Sequence, residues 1–122
     1  MKQSDFYQSL KKKSEIQEIF SRGKIIKSTN LLIKYRYINS ESYGVRVLLA
    51  VPSRIRPVVT RNRYKRVLRH VLFEAIKSEV AQNGLLLKAL SFAIIPRPGY
   101  VKVKYSEKIR EMKKIICTLM AS

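Results

Sequence analysis

The spacing of apolar positions changes along the chain, and each change marks an expected element. Residues 1–10 carry few structural signals and read as a flexible arm. Ser14-Glu15-Ile16-Gln17 then has the form of a capping box, with Ser14 as N-cap and Gln17 reaching back from the third helical position. Ile16, Ile19 and Phe20 give this first helix an apolar edge, and Gly23 is placed to stop it. The edge has two readings: a helix packed on a sheet, or Ile16 and Phe20 partly exposed beside a groove.

From Leu31 to Ile38 the period drops to two. Leu31, Ile33, Tyr35 and Tyr37 alternate with Leu32, Lys34, Arg36 and Ile38. Asn39 to Gly44 is turn chemistry, and Val45, Val47, Leu49 and Val51 then alternate with Arg46, Leu48 and Ala50. Together these read as an antiparallel hairpin with one apolar and one mixed face. The mixed face suits an open RNA platform or plain contact with solvent. Pro52 ends the strand, and Ser53-Arg54-Ile55-Arg56 forms a basic crossover.

Tyr64, Val67, Leu68, Val71, Leu72 and Ala75 return to helical spacing. That helix starts with Pro57 in its first turn, or at Thr60, and runs to about Asn83, with Gly84 as its stop. Leu90 to Ile95 is apolar enough for a buried strand, closed by Pro96-Arg97-Pro98-Gly99. Ser106 caps a last helix whose buried stripe is Ile109, Met112, Ile115, Ile116, Leu119 and Met120. Lys108, Arg110, Lys113 and Lys114 lie off that stripe, on an expected solvated face. The order is α-β-β-(β)-α-β-α: a small α+β sandwich, one domain over residues 1–122, with helices packed on one sheet.

Charge changes this picture at the middle helix. Arg61, Asn62, Lys65, Arg66 and Arg69 gather opposite its apolar stripe. Such a run is usually a solvated face, but solvated faces mix signs, and no residue from Ser42 to Phe73 is acidic. Arginine forks suit phosphate oxygens, and helical spacing lets the ridge follow a polyanion backbone. The net charge of +18 on 122 residues, 46% of them apolar, points the same way: a folded protein with a polyanionic partner. Nucleic acid fits better than a membrane surface, because the charge sits among folded-looking elements.

Other chemistries lack their residues. No apolar run approaches the ~20 residues of a membrane span, and no secretory signal is expected from the N-terminal residues. Cys117 and His70 are the only residues of their kinds, so an internal disulfide and a Cys/His zinc site are excluded. Cys117 is expected in the core, and a reducing, cytoplasmic setting fits. The eight acids are scattered, which disfavours a carboxylate-held metal centre, and one histidine cannot form an acid–base pair. Strands precede the basic helix, against a helix-turn-helix, and no RNP motif is present. The residues describe a basic α+β RNA binder rather than a self-sufficient catalyst. A DNA-binding regulator is disfavoured, and a ribosomal-type RNA-binding protein without a processing role is the alternative.

Arg61-Asn62-Arg63-Tyr64-Lys65-Arg66-Val67-Leu68-Arg69 resembles the R-N-R-x-K-R-x-x-R signature of the bacterial ribonuclease P protein component. Leu10-Lys11-Lys12 with Ile16, Phe20 and Gly23 is similar to that family's N-terminal L-K-x-x-x-x-F-x-x-x-F-x-x-G stretch. Arg46-Val47, the strand before Pro96 and the final helix fit as well. The resemblance implies a two-layer α/β sandwich of ribosomal-protein type with a left-handed β-α-β crossover. It also implies partnership with a catalytic RNA that, with bound Mg²⁺, removes the 5′ leader of precursor tRNA, so that the protein supplies no catalytic side chain. By this resemblance Arg61, Asn62, Arg63, Lys65, Arg66 and Arg69 contact the RNA subunit, and Arg54 retains a cation of the preceding loop. A cleft between the sheet and the middle helix takes the leader, with Ile16, Phe20, Lys34 and Ala50 as its matching positions and Tyr35 as the alternative to Lys34. Two departures stand out: Ile16 replaces an aromatic, and Arg56-Pro57 replaces the family's usual Gly-Asn pair.

Overall fold

The computed structural model describes residues 7–37, 45–83 and 90–121. In chain order the elements are β1 (Gln8–Ser9), α1 (Lys13–Arg22), β2 (Lys24–Lys27), β3 (Leu31–Tyr37), β4 (Val45–Leu49), α2 (Val58–Asn83), β5 (Leu90–Pro96), a 3-10 turn (Tyr100–Lys102) and α3 (Tyr105–Ala121). The sheet order is β1-β4-β5-β3-β2. The mixed α/β architecture expected from the sequence is present, with α2 as the crossover between parallel neighbours β4 and β5.

The expected hairpin is not. β5 lies between β3 and β4, antiparallel to the first and parallel to the second. The reason is in its composition: β5 is buried at every position but Ile95. A strand dry on both faces belongs inside the sheet, where each backbone edge finds a partner. β3 and β4 each carry a half-wet face and flank it. The turn residues expected at 39–44 lie outside the described residues, as do Ile38 and Gly84.

Two strands went unforeseen. Lys24-Ile25-Ile26-Lys27 is too short to show alternation, and its end lysines mark an edge strand. The segment from Tyr7 is no loose arm: Tyr7 and Leu10 are buried, β1 pairs with β4, and the Leu10 N–H donates to the Val47 carbonyl at 2.8 Å.

Alternation along the strands sends apolar side chains to both faces of the sheet. Leu31, Ile33, Val45, Val47, Phe92 and Ile94 pack against α2 and α3 in the main core. On the opposite face Ile19 of α1 is buried with Leu10 and Ala93, with Ile16 and Leu48 packed around them. Tyr64, Leu68, Val71, Leu72 and Ala75 fill the inner side of α2 as expected, Val67 half-buried beside them. Met112, Ile115, Ile116, Leu119 and Met120 do so for α3, with half-buried Ile109.

Helix starts differ in detail from expectation. α1 is preceded by Lys12 in extended geometry with no side-chain cap, and the Ile16 N–H bonds to the Lys12 carbonyl. Ser14 is therefore inside the first turn and the capping box does not form. Glu15, in that turn, goes to Arg46 instead. α2 begins at Val58, after a cis Arg56–Pro57 bond, with the Thr60 N–H on the Pro57 carbonyl. α3 begins at Tyr105, one residue before Ser106, and the Lys104 carbonyl accepts from Glu107 and Lys108.

Two side chains on α3 reverse their expected settings. Lys108 is buried: its Nζ donates to the Val101 carbonyl at 3.0 Å and lies 5.3 Å from the Tyr100 ring centre. The 3-10 turn folds over it, which no helical wheel shows. Cys117 is exposed rather than in the core, its thiol donating to the buried Glu79 carboxylate at 3.2 Å. That bond, more than the slight desolvation of the sulfur, raises the thiol's pKa.

Candidate nucleic-acid interface

Burial of one side of α2 forces the other into solvent, and the cationic ridge is that other side. Asn62, Arg66 and Arg69 are exposed, while Arg61 and Lys65 are half-buried. Among the described residues no carboxylate pairs with any of them, and the side chains of Asn62, Lys65, Arg66 and Arg69 make no hydrogen bond. Four donors thus stand along one helix face with their capacity unspent. Lys65 and Arg69 also line a groove of about 160 Å³ with Tyr7, Ser9 and Leu48. The Tyr7 hydroxyl donates to the Arg69 carbonyl at 3.2 Å, and burial pushes its pKa up to about 12 against the lowering effect of the Arg69 charge.

Arg61 and Arg63 stand apart from this set. Arg61 Nη1 donates to the carbonyls of Ser53 and Ile55, each at 3.2 Å. Arg63 is exposed on the flank of α2 turned toward α3, where its charge adds to burial in lowering the Lys108 pKa. His70 is exposed beside the ridge, with Nε2 3.1 Å from the Tyr105 hydroxyl. Arg54 is exposed on the loop before α2.

The expected cleft residues lie elsewhere. Ile16 and Phe20 are on α1, and Lys34 and Ala50 are on the sheet face that α1 covers, away from α2. The surface these residues occupy therefore lies where α1 meets the sheet, not between the sheet and the middle helix. Lys34, Ala93 and Leu48 form one row across β3, β5 and β4, and the Ala50 N–H extends the ladder to Ile94. Phe20 is 40% exposed, with Lys34 Nζ 5.0 Å from its ring centre. Tyr35 faces the main core, edge-on to Tyr37, so Lys34 and not Tyr35 lies on the α1 side of β3. Ile16 is half-buried against Ile19 and Leu10 and presents less surface than Phe20.

The other end of this face has opposite chemistry. Glu15 holds Arg46 at 2.7 Å and Glu18 holds Arg36 at 2.8 Å, neutralising two sheet arginines beneath α1. Lys34, beside Phe20, is the sheet cation on this face that no carboxylate neutralises among the described residues. Among the described residues no group of three His, Cys, Asp or Glu side chains converges.

A family model described as Ribonuclease P matches residues 6–120, which takes in both the ridge and the α1 groove. The chain belongs to the ribonuclease P protein family. A ribonuclease P protein component of Borrelia turicatae is 30% identical over 112 residues, covering 92% of this chain and 91% of that one. The component of Borreliella burgdorferi strain B31 is 39% identical over 95 residues, 78% and 73% of the two chains. The solved ribonuclease P protein of Thermotoga maritima superimposes with a TM-score of 0.64 at 17% identity, covering 92% and 94% of the chains. That of Staphylococcus aureus gives 0.62 at 15%, covering 91% and 94%. Those two likenesses speak for the fold alone. As a member of the family, the chain is the RNA-binding protein subunit of a tRNA-processing ribonucleoprotein.

Proposed function

We propose that the outer face of α2 grips the catalytic RNA of ribonuclease P, while the groove beside α1 receives the single-stranded 5′ leader of precursor tRNA. The observation that carries this reading is the run of Asn62, Lys65, Arg66 and Arg69, exposed or half-exposed and without internal partners. Four unspent donors on one rigid helix match the phosphates of a folded RNA and need little reordering to bind. In the groove, the open face of Phe20 offers a base a stacking surface and Lys34 offers its phosphate a charge. Strand scission belongs to the RNA with its Mg²⁺, and the protein's share is to hold both RNAs in register. Work on precursor tRNA sets it in the cytoplasm, and no helix among the described residues is long and apolar enough to cross a membrane.

The test is reconstitution. Adding the protein to a bacterial ribonuclease P RNA and precursor tRNA at low Mg²⁺ is expected to accelerate leader removal. RNA binding without acceleration would leave a purely structural RNA-binding role. For the ridge, Arg66→Ala and Arg69→Ala should each lower the magnitude of the log-affinity versus log-salt slope by roughly 0.7–0.9. Unchanged slopes would return both residues to simple solvation.

A further inference from the structure

Among the arginines of α2, Arg61 alone within the described residues has its guanidinium hydrogen-bonded inside the protein. Both bonds leave the same Nη1 atom, and the two carbonyls it holds, on Ser53 and Ile55, bracket Arg54. The same short segment is pinned from within. Ile55 is 7% exposed in the main core, and its N–H closes a turn on the Pro52 carbonyl at 3.0 Å. On either side of that buried residue, Arg54 and Arg56 are exposed and without partners among the described residues. Fastened at Ile55 and at the Arg61 fork, the loop has its two arginines directed outward at the start of the cationic helix.

From this geometry we infer that Arg54 and Arg56 form a second phosphate-binding arm of the RNA interface, and that Arg61 is the positioning residue that sets it. Arg61 stands in the ridge by sequence spacing, but its donors are directed at the loop. It acts on RNA through Arg54 and Arg56 rather than by its own contact. An arm already ordered in the free protein binds without first freezing a flexible segment, so the clamp raises affinity without touching RNA. This inference rests on the proposed grip of α2 on the catalytic RNA.

The experiment is a cycle of variants on the full chain, read as affinity for a bacterial ribonuclease P RNA across a salt series. Arg54→Gln with Arg56→Gln alters only exposed side chains and should not lower the thermal unfolding temperature. It is expected to weaken binding on the order of tenfold near ~0.1 M salt and to lower the slope magnitude by up to about two. Arg61→Met is expected to weaken binding several-fold in the native background and to have no further effect once Arg54 and Arg56 are glutamine. Equal losses from Arg61→Met in both backgrounds would make Arg61 an independent contact and overturn its positioning role. An unchanged slope in the double-glutamine variant would overturn the arm itself, and it remains decisive if Arg61→Met proves unstable. Native protein that fails to bind this RNA would sink the proposed function first, an outcome distinct from binding without the expected coupling.

Discussion

Tyr7 joins the N-terminal segment to α2, and its ionisation has a sign that can be worked out. Burial raises its pKa from the ordinary tyrosine value near 10 to about 12. Between those values the folded chain holds a proton that the unfolded chain has released. The stability this contributes is fully present below about pH 10 and is lost as pH rises through about 12, on the order of 2 kcal/mol across the window. Tyr100, also buried and near Glu111, is shifted upward too. Lysine deprotonation over the same range relieves self-repulsion, so the informative quantity is a difference between proteins. Tyr7→Phe should cost about 1 kcal/mol at pH 8, for the bond to the Arg69 carbonyl, and less than that near pH 12. Urea unfolding at both pH values checks it, and a cost independent of pH would remove Tyr7 from the alkaline transition. Lys108 makes the complementary point. Its helical position predicted solvent, but the turn that covers it comes from Tyr100–Lys102, outside the helix whose pattern was read.

At the level of elements, α1 is attached to the sheet by one buried isoleucine and two ion pairs, one exposed and one part-buried, and the magnitudes decide which matters. Ile19 is 1% exposed, and Ile19→Ala should cost about 2–4 kcal/mol. The Arg36–Glu18 pair has side chains 50% and 39% exposed, and Glu18→Gln should change stability by less than about 1 kcal/mol. Denaturant midpoints on the two variants test the ranking; a larger loss at Glu18 would mean that charge holds α1 in place. Gly23 ends α1 as expected, and close backbone packing explains why a glycine stands there. Its φ is −69°, in ordinary territory, but an added Cβ would stand 2.3 Å from the Ile19 carbonyl oxygen and 3.1 Å from that of Tyr35. Both neighbours are backbone atoms and cannot swing aside. Gly23→Ala should therefore destabilise by more than about 1 kcal/mol, read in the same unfolding series.

Across the whole molecule the charge balance is the dominant electrostatic fact. Behind the net charge of +18 stand 26 Lys and Arg residues, and among the described residues only Arg36 and Arg46 form an ion pair with a carboxylate. Raising KCl from about 0.05 to about 0.5 M shortens the screening length from roughly 14 to roughly 4 Å. The repulsion that opposes compaction weakens accordingly, and Tm should rise with salt while RNA affinity falls. A Tm insensitive to salt would show that the free protein carries no such strain. The opposite responses have one cause: the charge that RNA neutralises in the complex is left to screening ions in its absence.

Periodicity by itself determined the apolar stripes of α2 and α3, the dry strand from Leu90 to Ile95 and the cationic ridge, because each is written in the residues of one element. The motif at Arg61–Arg69 likewise carried the family. Which surfaces meet was decided by tertiary structure alone. A strand pattern names a dry side without naming its neighbour, so β5 displaced the expected hairpin, and α1 took the sheet face opposite α2 and carried the groove there. Arg61 is the sharpest case: a cation on the correct helix face whose partners, two loop carbonyls, have no side-chain signature to read. Spacing shows where a charge points along its own helix, and only the folded chain shows what already stands in front of it.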